Sequence, residues 1–504
     1  MSKKRSLDAY LAEVFKQFIA IKDDDNKRAL EVFKNVFDQI KQKMGEQCNY
    51  FNKYSRQIIY AGSVYDNIKV SKMDEFDMDI VIKLPINYDD GPNGIVLEND
   101  QPGFVRLKIT NAFDNMDKQQ DWEKCHKVIR DWRDSDKYLL QNKFRHWLHS
   151  IVSKAMNELK NQVDVNGTIY LVTYKESGPA YTLNIRNDKG NEEFALDVDL
   201  VPVIKFMQPR WPQGYKVIEG SQVRNWLIVP KPNKAIKDGA LKNRCWRLSF
   251  QDYEREMMKG CEALKTTIRL VKKLRDGLEL KSIASYYIKT LFLWEIDQAE
   301  DESYWRNKIS VIFRKMVEKL YLAVKNKCIP YFWHKDNNLL EGVRPTLLQT
   351  YEVKLKNVLD AIDANDVDKV VSYILTTDEM RVFKESEFYL RVSSLPTPSP
   401  SKQVSVEADF KKAGTLSNGV KALSDELDSL KETFTPGHKK MAQFEKRLCD
   451  IEDRVTRLEM AMKNTRFLVL LSNSCYSCQV SMPSFFSSFN GLLSLFSDNF
   501  SNVK

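Results

Sequence analysis

The chain has 504 residues, 43% of them hydrophobic and 29% charged, with a formal net charge of +9 at pH 7. It is long enough for two or three globular domains, and the basic excess suits a partner that carries phosphates. Its eight cysteines are scattered without a disulfide framework, and no apolar run approaches the roughly 18 residues of a membrane span. Because the opening residues lack the apolar core of a signal peptide, we expect a protein of the cytoplasm, with the nucleus not excluded.

Residues 1–57 are predicted to be helical, and most of this segment is amphipathic. The apolar stripe at helical spacing comprises Leu30, Val32, Phe33, Val36, Phe37, Ile40 and Met44. The opposite face carries Lys34, Lys41 and Lys43. A solvated helix face is the simplest reading of each lysine taken alone.

The stretch 61–84 combines a small-residue turn with an acidic strand. Gly62 and Ser63 can bring backbone N–H groups close to a phosphate, because glycine tolerates tight turns. Glu75 and Asp77 alternate with apolar residues, so a strand would project both carboxylates from one face. Adjacent carboxylates repel unless a cation lies between them, and hard divalent ions prefer oxygen ligands. The pattern suits metal-assisted nucleotidyl transfer, and an edge strand with a solvated acidic face explains it equally well.

Residues 87–103 are rich in Asp, Gly, Asn and Pro and are predicted to form a loop. Basic helices are predicted over 120–160, and strands over 168–172, 180–185 and 194–204. His146 and His149, three residues apart, could share a metal ion, but no second ligand pair is evident, which favours surface or partly buried histidines. Asp197 and Asp199 share one face of the last strand.

Several motifs in this order resemble the Mab-21 nucleotidyltransferases, the family that includes cyclic GMP-AMP synthase and the cyclic GMP-AMP synthase-like receptors of animals. The resemblance rests on Gly62-Ser63-Val64-Tyr65, Glu75-Phe76-Asp77, Val198-Asp199-Leu200, Trp246-Arg247-Leu248-Ser249-Phe250 and Ser285-Tyr286 with Lys289-Thr290. It covers roughly residues 1–390 and implies an α/β, two-lobed nucleotidyltransferase fold. In that fold a twisted mixed sheet with an N-terminal spine helix (1–215) precedes a helical second lobe (216–390).

The resemblance also implies roles for individual residues. The catalytic carboxylates that hold two Mg²⁺ or Mn²⁺ ions would be Glu75, Asp77 and Asp199. Asp197 is the alternative candidate for the position of Asp199, but its simplest interpretation is a solvated or supporting carboxylate. The other contacts implied for ATP and GTP are Gly62, Ser63, Arg247, Ser249, Lys272, Ser285, Tyr286 and Lys289. Arg247 could instead cap a helix, while the aromatic residues that flank its motif, Trp246 and Phe250, are expected in the core.

Vertebrate cyclic GMP-AMP synthase carries a His-Cys-Cys-Cys zinc insertion soon after the Trp-Arg-Leu-Ser-Phe motif. Here the segment that directly follows the motif, from Ser249 through Tyr253 to Cys261 and into the next predicted helix, contains one cysteine and no histidine, so we expect no structural zinc. Without the zinc-dependent DNA-binding element, double-stranded RNA is the favoured activator, since an A-form helix is recognised by shape and phosphate contacts. In the family the N-terminal helix lies near nucleic acid, which makes Lys34, Lys41 and Lys43 candidate contacts.

Beyond the expected catalytic lobes, residues 391–440 are predicted to form a Pro/Ser linker and a short helix. Residues 441–465 carry a short heptad pattern, which could pair chains or fold back on the catalytic lobes. Chains could also assemble on nucleic acid. We assign no role to residues 466–504. The whole extension is expected to be helical or disordered.

The resemblance implies an innate immune sensor that makes cyclic GMP-AMP from ATP and GTP on binding nucleic acid, with the product acting on a downstream receptor. The linkage isomer and the base selectivity stay open at this point. The alternative function is that of a Mab-21-like protein without catalysis, acting as a nucleic-acid-binding or interaction scaffold.

Overall fold

The computed structural model describes residues 6–393 except 22, 56, 91–93, 188–193 and 300–301. The strands are β1 (Gln57–Ala61), β2 (Glu75–Val81), β3 (Ile95–Asn99), β4 (Phe104–Ile109), β5 (Gln162–Val165), β6 (Thr168–Ser177), β7 (Ala180–Asn187), β8 (Phe194–Met207), β9 (Asn225–Val229), β10 (Cys245–Ser249), β11 (Pro330–Tyr331) and β12 (His334–Asn338). The helices are α1 (Leu7–Val14), α2 (Asp23–Gln47), α3 (Asn49–Tyr54), α4 (Gly62–Tyr65), α5 (Asn111–Asp114), α6 (Gln141–Glu158), α7 (Gly239–Arg244), α8 (Gln251–Met257), α9 (Glu262–Gly277), α10 (Ser285–Gln298), α11 (Ile309–Lys325), α12 (Pro345–Asp363), α13 (Val367–Ile374), α14 (Thr377–Glu385) and α15 (Glu387–Ser393).

One ten-stranded mixed sheet organises the first part of the chain. Its strand order is β3-β4-β10-β9-β8-β7-β6-β5, and β2 pairs with both β1 and β8. The β2–β8 pair is parallel, whereas the other pairs of this sheet are antiparallel. The long strand β8 pairs with β2 and β7 over its first part and with β9 from Ile204 onward.

The long helix α2 packs its apolar stripe into the core, as the helical spacing predicts. Its buried residues include Val32, Phe33, Val36, Phe37, Ile40 and Met44. Leu30 is the exception, because 38% of its surface is exposed. Phe33 stacks on Phe76 of β2 with ring centroids 4.5 Å apart, which joins the helix to the acidic strand.

The described part of residues 1–57 is mostly helical, as predicted, with α1, a π-helical turn (Phe15–Ile19), α2 and α3 in succession. Ala20 and Cys48 adopt extended conformations between these helices. The prediction of a loop over residues 87–103 is wrong in part, since β3 lies within them and pairs with β4. Ile95 is buried and Leu97 is half-buried in β3, so apolar burial outweighs the surrounding turn residues there.

Helices α8–α15 dominate the chain after β10, interrupted by the short β11–β12 hairpin. Leu264, Ile268, Val271 and Leu274 of α9 are fully or almost fully buried, as their spacing predicts. In the described part of the chain, no helix combines the length and apolar character needed to span a membrane. The predicted linker beyond Ser393, the heptad segment 441–465 and the tail 466–504 lie outside the described residues.

Candidate active site

Three carboxylates meet where β2 and β8 run side by side. In the parallel register Asp77 lies opposite Asp199, and Glu75 lies opposite Asp197. The side chains of Glu75, Asp77 and Asp199 can each supply an oxygen such that all three lie within 4.8 Å of one another. Strand alternation explains the arrangement, because the intervening apolar residues of β2 are buried in the core. We call these three residues the carboxylate trio.

The electrostatics of the carboxylate trio favour a bound cation. Burial, together with the negative charges of Glu75 and Asp199, raises the pKa of Asp77 to about 6. Burial also raises the pKa of Asp199, and Glu75 adds to this, although Thr182 Oγ1 donates a 2.5 Å hydrogen bond to Asp199 Oδ1. Clustered carboxylate oxygens are the ligands that Mg²⁺ and Mn²⁺ prefer.

Gly62 brings the turn after β1 against the carboxylate trio. Its φ is +73°, and a Cβ at this position would lie 1.7 Å from Asp77 Oδ2. Only glycine fits such a close approach at positive φ. The next residue, Ser63, is half-buried, and its carbonyl accepts a 2.9 Å hydrogen bond from the Ile68 amide. The turn therefore packs directly against Asp77, and the donor set of the carboxylate trio fits divalent metal ions.

Asp197 differs from Asp199 in its surroundings. Asn184 Nδ2 donates a 2.5 Å hydrogen bond to Asp197 Oδ1. Among the described residues, the carboxylate trio is the one group of three or more potential metal ligands, and Asp197 is not part of it. This arrangement supports a secondary role for Asp197.

A lysine that sequence reasoning missed lies at the edge of the carboxylate trio. Lys69 Nζ lies 2.9 Å from Glu75 Oε2 and 3.0 Å from Asp74 Oδ1. Burial works against its charge, but the hydrogen bonds to Glu75 and Asp74 raise its pKa above the ordinary value. The loop between α4 and β2 has no periodic pattern that would have indicated this contact.

Arg247 and Ser249 lie on β10, in the middle of the sheet, so Arg247 does not cap a helix. Arg247 is paired with Phe104 on one side and Val229 on the other. The aromatic residues of the motif, Trp246 and Phe250, are buried as predicted.

Lys231 is a second cation that sequence reasoning missed as a site residue. Burial lowers its pKa to about 8, and the positive charges of Arg247 and Lys234 add to the effect. No carboxylate of the described residues forms an ion pair with Lys231 or Arg247. Two neighbouring cations without an internal counter-ion are suited to bind an anionic ligand.

Lys272 and Ser285 make internal hydrogen bonds in this conformation. Lys272 Nζ donates a 2.8 Å hydrogen bond to the Ile68 carbonyl, and burial lowers the pKa of Lys272 to about 8. Ser285 Oγ accepts a 2.7 Å hydrogen bond from Arg275 Nη1. Their nucleotide contacts stay predictions.

Lys289 and Tyr286 belong to a buried network that joins the turn after β1 to the helical part of the chain. Lys289 Nζ contacts Asp66 Oδ2 at 2.6 Å and Glu254 Oε2 at 2.8 Å. Tyr286 and Trp333 both donate hydrogen bonds to Glu254 Oε1. Burial opposes the charge of Lys289, but the two carboxylates raise its pKa. The polar atoms of both residues already have partners inside the protein, and any nucleotide contact stays a prediction.

The fold and the carboxylate trio agree with what two family comparisons find. Residues 64–260 match the Mab-21 protein nucleotidyltransferase domain, and residues 263–357 match the Mab-21 protein HhH/H2TH-like domain. The chain belongs to the Mab-21 family of nucleotidyltransferases. The resemblance noted in the sequence is thereby confirmed, as is the expected α/β nucleotidyltransferase fold with a helical second part.

Three Mab-21 relatives illustrate the similarity, and each is named cyclic GMP-AMP synthase-like receptor. The chain is 33% identical over 390 residues to the protein of Aethina tumida, covering 76% of this chain and 94% of the relative. Identity to the Trichogramma pretiosum protein is 32%, covering 75% of this chain and 78% of the relative. Identity to the Ctenocephalides felis protein is 32%, covering 75% of this chain and 90% of the relative.

The candidate nucleic-acid contacts of this Mab-21 nucleotidyltransferase lie on α2. Lys34 is exposed, and Lys41 is half-buried. Lys43 forms an ion pair with Glu46 at 2.7 Å and lies 3.6 Å from Glu158 Oε2. Part of the charge of Lys43 is therefore balanced within the protein.

The histidine pair of α6 does not form a three-ligand metal site. His149 is buried, and its Nδ1 lies 3.1 Å from Glu176 Oε1. The ring of His146 lies 6.2 Å from that of His149, measured between centroids. Burial lowers the pKa of His149, which keeps the imidazole neutral at pH 7.

Proposed function

We propose that this Mab-21 nucleotidyltransferase makes cyclic GMP-AMP from ATP and GTP when double-stranded RNA binds it. The observation that carries the proposal is the carboxylate trio, whose oxygens converge beside a turn that only glycine can form. The names of the three relatives support the choice of product. The proposal includes a location in the cytoplasm or nucleus and a downstream cyclic-dinucleotide receptor as an indirect partner.

Each of the two transfers forms a bond between a ribose hydroxyl oxygen and an α-phosphorus and releases pyrophosphate. Glu75, Asp77 and Asp199 would hold two Mg²⁺ or Mn²⁺ ions, which activate the hydroxyl and neutralise the leaving pyrophosphate when bound. Gly62 and Ser63 are proposed to contact the triphosphate, and the close packing of Gly62 against Asp77 supports this. The second transfer closes the ring.

The remaining site residues would orient the nucleotides. Arg247 and Lys231 offer positive charge that no carboxylate of the described residues balances in an ion pair, and they suit a phosphate or a purine edge. Ser249, Lys272, Ser285, Tyr286 and Lys289 are proposed to line the nucleotide pocket. For Lys272, Tyr286 and Lys289, binding would require the exchange of an internal bond for one to nucleotide.

The proposed activator is double-stranded RNA. Lys34, Lys41 and Lys43 on α2 and the net charge of +9 suit a phosphate backbone. The sequence after the Trp-Arg-Leu-Ser-Phe motif lacks the ligands of a structural zinc site, which argues against DNA as the activator. Recognition of A-form RNA needs no base-reading element.

The test incubates the full chain with ATP, GTP and Mg²⁺ or Mn²⁺, alone or with double-stranded RNA or DNA, and resolves the products by chromatography. We expect cyclic GMP-AMP with RNA and none from the Glu75→Ala/Asp77→Ala variant. Chromatography of this product also shows whether each of its linkages is 2′-5′ or 3′-5′. RNA binding without any nucleotide product would instead support the scaffold function.

A charge-reversed variant tests the RNA surface. Changing Lys34, Lys41 and Lys43 to Glu should abolish RNA-stimulated synthesis, and wild-type binding should weaken steeply as salt rises, because phosphate contacts release counterions. The matched control reverses three exposed lysines of the helical part, Lys281, Lys327 and Lys369. Full RNA stimulation of the α2 variant, or stimulation by DNA alone, would contradict the proposed activator.

A further inference from the structure

Lys69 differs from an ordinary surface lysine in both its burial and its partners. Only 15% of its side chain is exposed. Its ammonium group lies 2.9 Å from Glu75 Oε2, one of the oxygens of the carboxylate trio, and 3.0 Å from Asp74 Oδ1. It also acts on Asp77, since its positive charge opposes the rise in the pKa of that carboxyl.

The loop that carries Lys69 is fixed on both sides of it. On one side, the Ile68 amide donates to the Ser63 carbonyl at 2.9 Å, and the Ile68 carbonyl accepts from Lys272 Nζ at 2.8 Å. On the other side, the Ser71 amide donates to the Ile19 carbonyl at 3.0 Å, and Ser71 Oγ donates to the Phe18 carbonyl at 2.7 Å.

The backbone of this loop shows the same constraint. Asn67 and Ser71 have φ of 58° and 66°, in a region that residues other than glycine seldom adopt. Such conformations persist only where surrounding contacts determine them. The loop therefore holds the ammonium group of Lys69 beside the carboxylate trio.

We infer that Lys69 is a built-in counter-cation that competes with divalent metal ions for Glu75 and so keeps the metal affinity of the nucleotide-free site low. This inference rests on the metal site of the proposed function. Two positive charges a few ångströms apart repel, and at a partly buried site this repulsion weakens metal binding about ten- to hundredfold. A triphosphate brings its own negative charge, so the metal ion binds tightly once nucleotide is present.

The direction of the effect separates competition from a supporting role. A lysine that merely orients Glu75 would strengthen metal binding, and its removal would weaken it. A competing lysine weakens metal binding, and its removal strengthens it, because the removal frees a carboxylate oxygen and takes away a like charge. In this role Lys69 lowers the affinity of the site for metal ions and is not a catalytic residue.

The experiment measures Mn²⁺ binding to the full-length, nucleotide-free protein through the electron paramagnetic resonance signal of free Mn²⁺. Lys69→Met should bind Mn²⁺ at least about tenfold more tightly than wild type, from the loss of one nearby positive charge. Lys69→Arg, which keeps the charge, should resemble wild type. Lys72→Met is the matched control, since Lys72 is an exposed lysine of the same loop, and it should change nothing.

Two further measurements make the result decisive. In the Glu75→Ala/Asp77→Ala background, Lys69→Met should have no effect on Mn²⁺ binding. Adding a non-hydrolysable ATP analogue to the proteins with an intact carboxylate trio should reduce the difference in Mn²⁺ affinity between Lys69→Met and wild type. Equal or weaker Mn²⁺ binding by a folded Lys69→Met protein would overturn the inference, as would no Mn²⁺ binding by any variant. Because no turnover is needed, tighter binding by Lys69→Met in a protein that makes no dinucleotide would uphold the inference and reject the proposed function alone.

Discussion

Replacing Asp77 with Asn should stabilise the protein while it abolishes catalysis. Burial and the neighbouring carboxylates raise the pKa of Asp77 from 3.8 to about 6. A shift of about two pKa units corresponds to about 3 kcal/mol of free energy by which the ionised form is disfavoured in the folded state. Because this carboxyl is partly exposed, screening by solvent reduces the expected gain to about 1–3 kcal/mol.

The pH dependence of this gain has a definite sign. The folded state binds the proton of Asp77 more tightly than the unfolded state, so wild-type stability falls as pH rises from about 3.8 to about 6. The stability gain of Asp77→Asn is therefore complete above pH 6 and disappears as pH falls towards 3.8. Adding Mn²⁺ should make wild type more stable than Asp77→Asn, because the metal ion stabilises only a protein that binds it.

Thermal melts in EDTA between pH 4 and 8 measure this prediction. We expect the Tm of Asp77→Asn to exceed that of wild type by about 1–4 °C at pH 7.5. Asp114→Asn is a control of opposite sign, since hydrogen bonds from Arg133 and Lys137 hold the pKa of Asp114 below its usual value. A lower Tm for Asp77→Asn, or a gain that does not change with pH, would refute the reasoning.

Two other substitutions test the assignments. Asp197→Asn should keep most of the synthetic activity while Asp199→Asn should lose it, and equal loss in both would show that the carboxylate assignment is shifted by two residues. Lys289→Met should destabilise the fold by about 3–5 kcal/mol, because it removes the buried cation shared by Glu254 and Asp66 and leaves Glu254 with neutral hydrogen-bond donors alone, while Asp66 keeps Arg255. Denaturant unfolding at pH 7 measures this loss, and wild-type stability in Lys289→Met would contradict a structural role for the network.

Local patterns predicted part of the site, and the rest depends on contacts distant in sequence. Alternation in β2 places Glu75 and Asp77 on one face, as the sequence indicates. The choice of Asp199 over Asp197 came from the family resemblance, because the parallel register of β2 and β8 cannot be read from either strand alone.

The two missed cations lacked a local pattern altogether. Lys69 lies in an irregular loop and Lys231 follows the end of β9, so only the folded chain brings them to acidic or basic neighbours. The helical prediction for residues 1–57 did not locate the two interruptions within it. Ala20 and Cys48 are extended, and neither residue is a glycine or proline that would have indicated a break.

Strand β8 links the carboxylate trio to Arg247. Asp199 lies in the part that pairs with β2, and Ile204, five residues later, begins the part that leads through β9 to β10 and Arg247. At about 3.3 Å per residue, these two positions lie about 17 Å apart along the strand. A one-residue insertion between them would turn one half of β8 onto the opposite face. Lengthening a loop is tolerated far better, so the length of β8 between these two positions is a fixed dimension of the site in this chain.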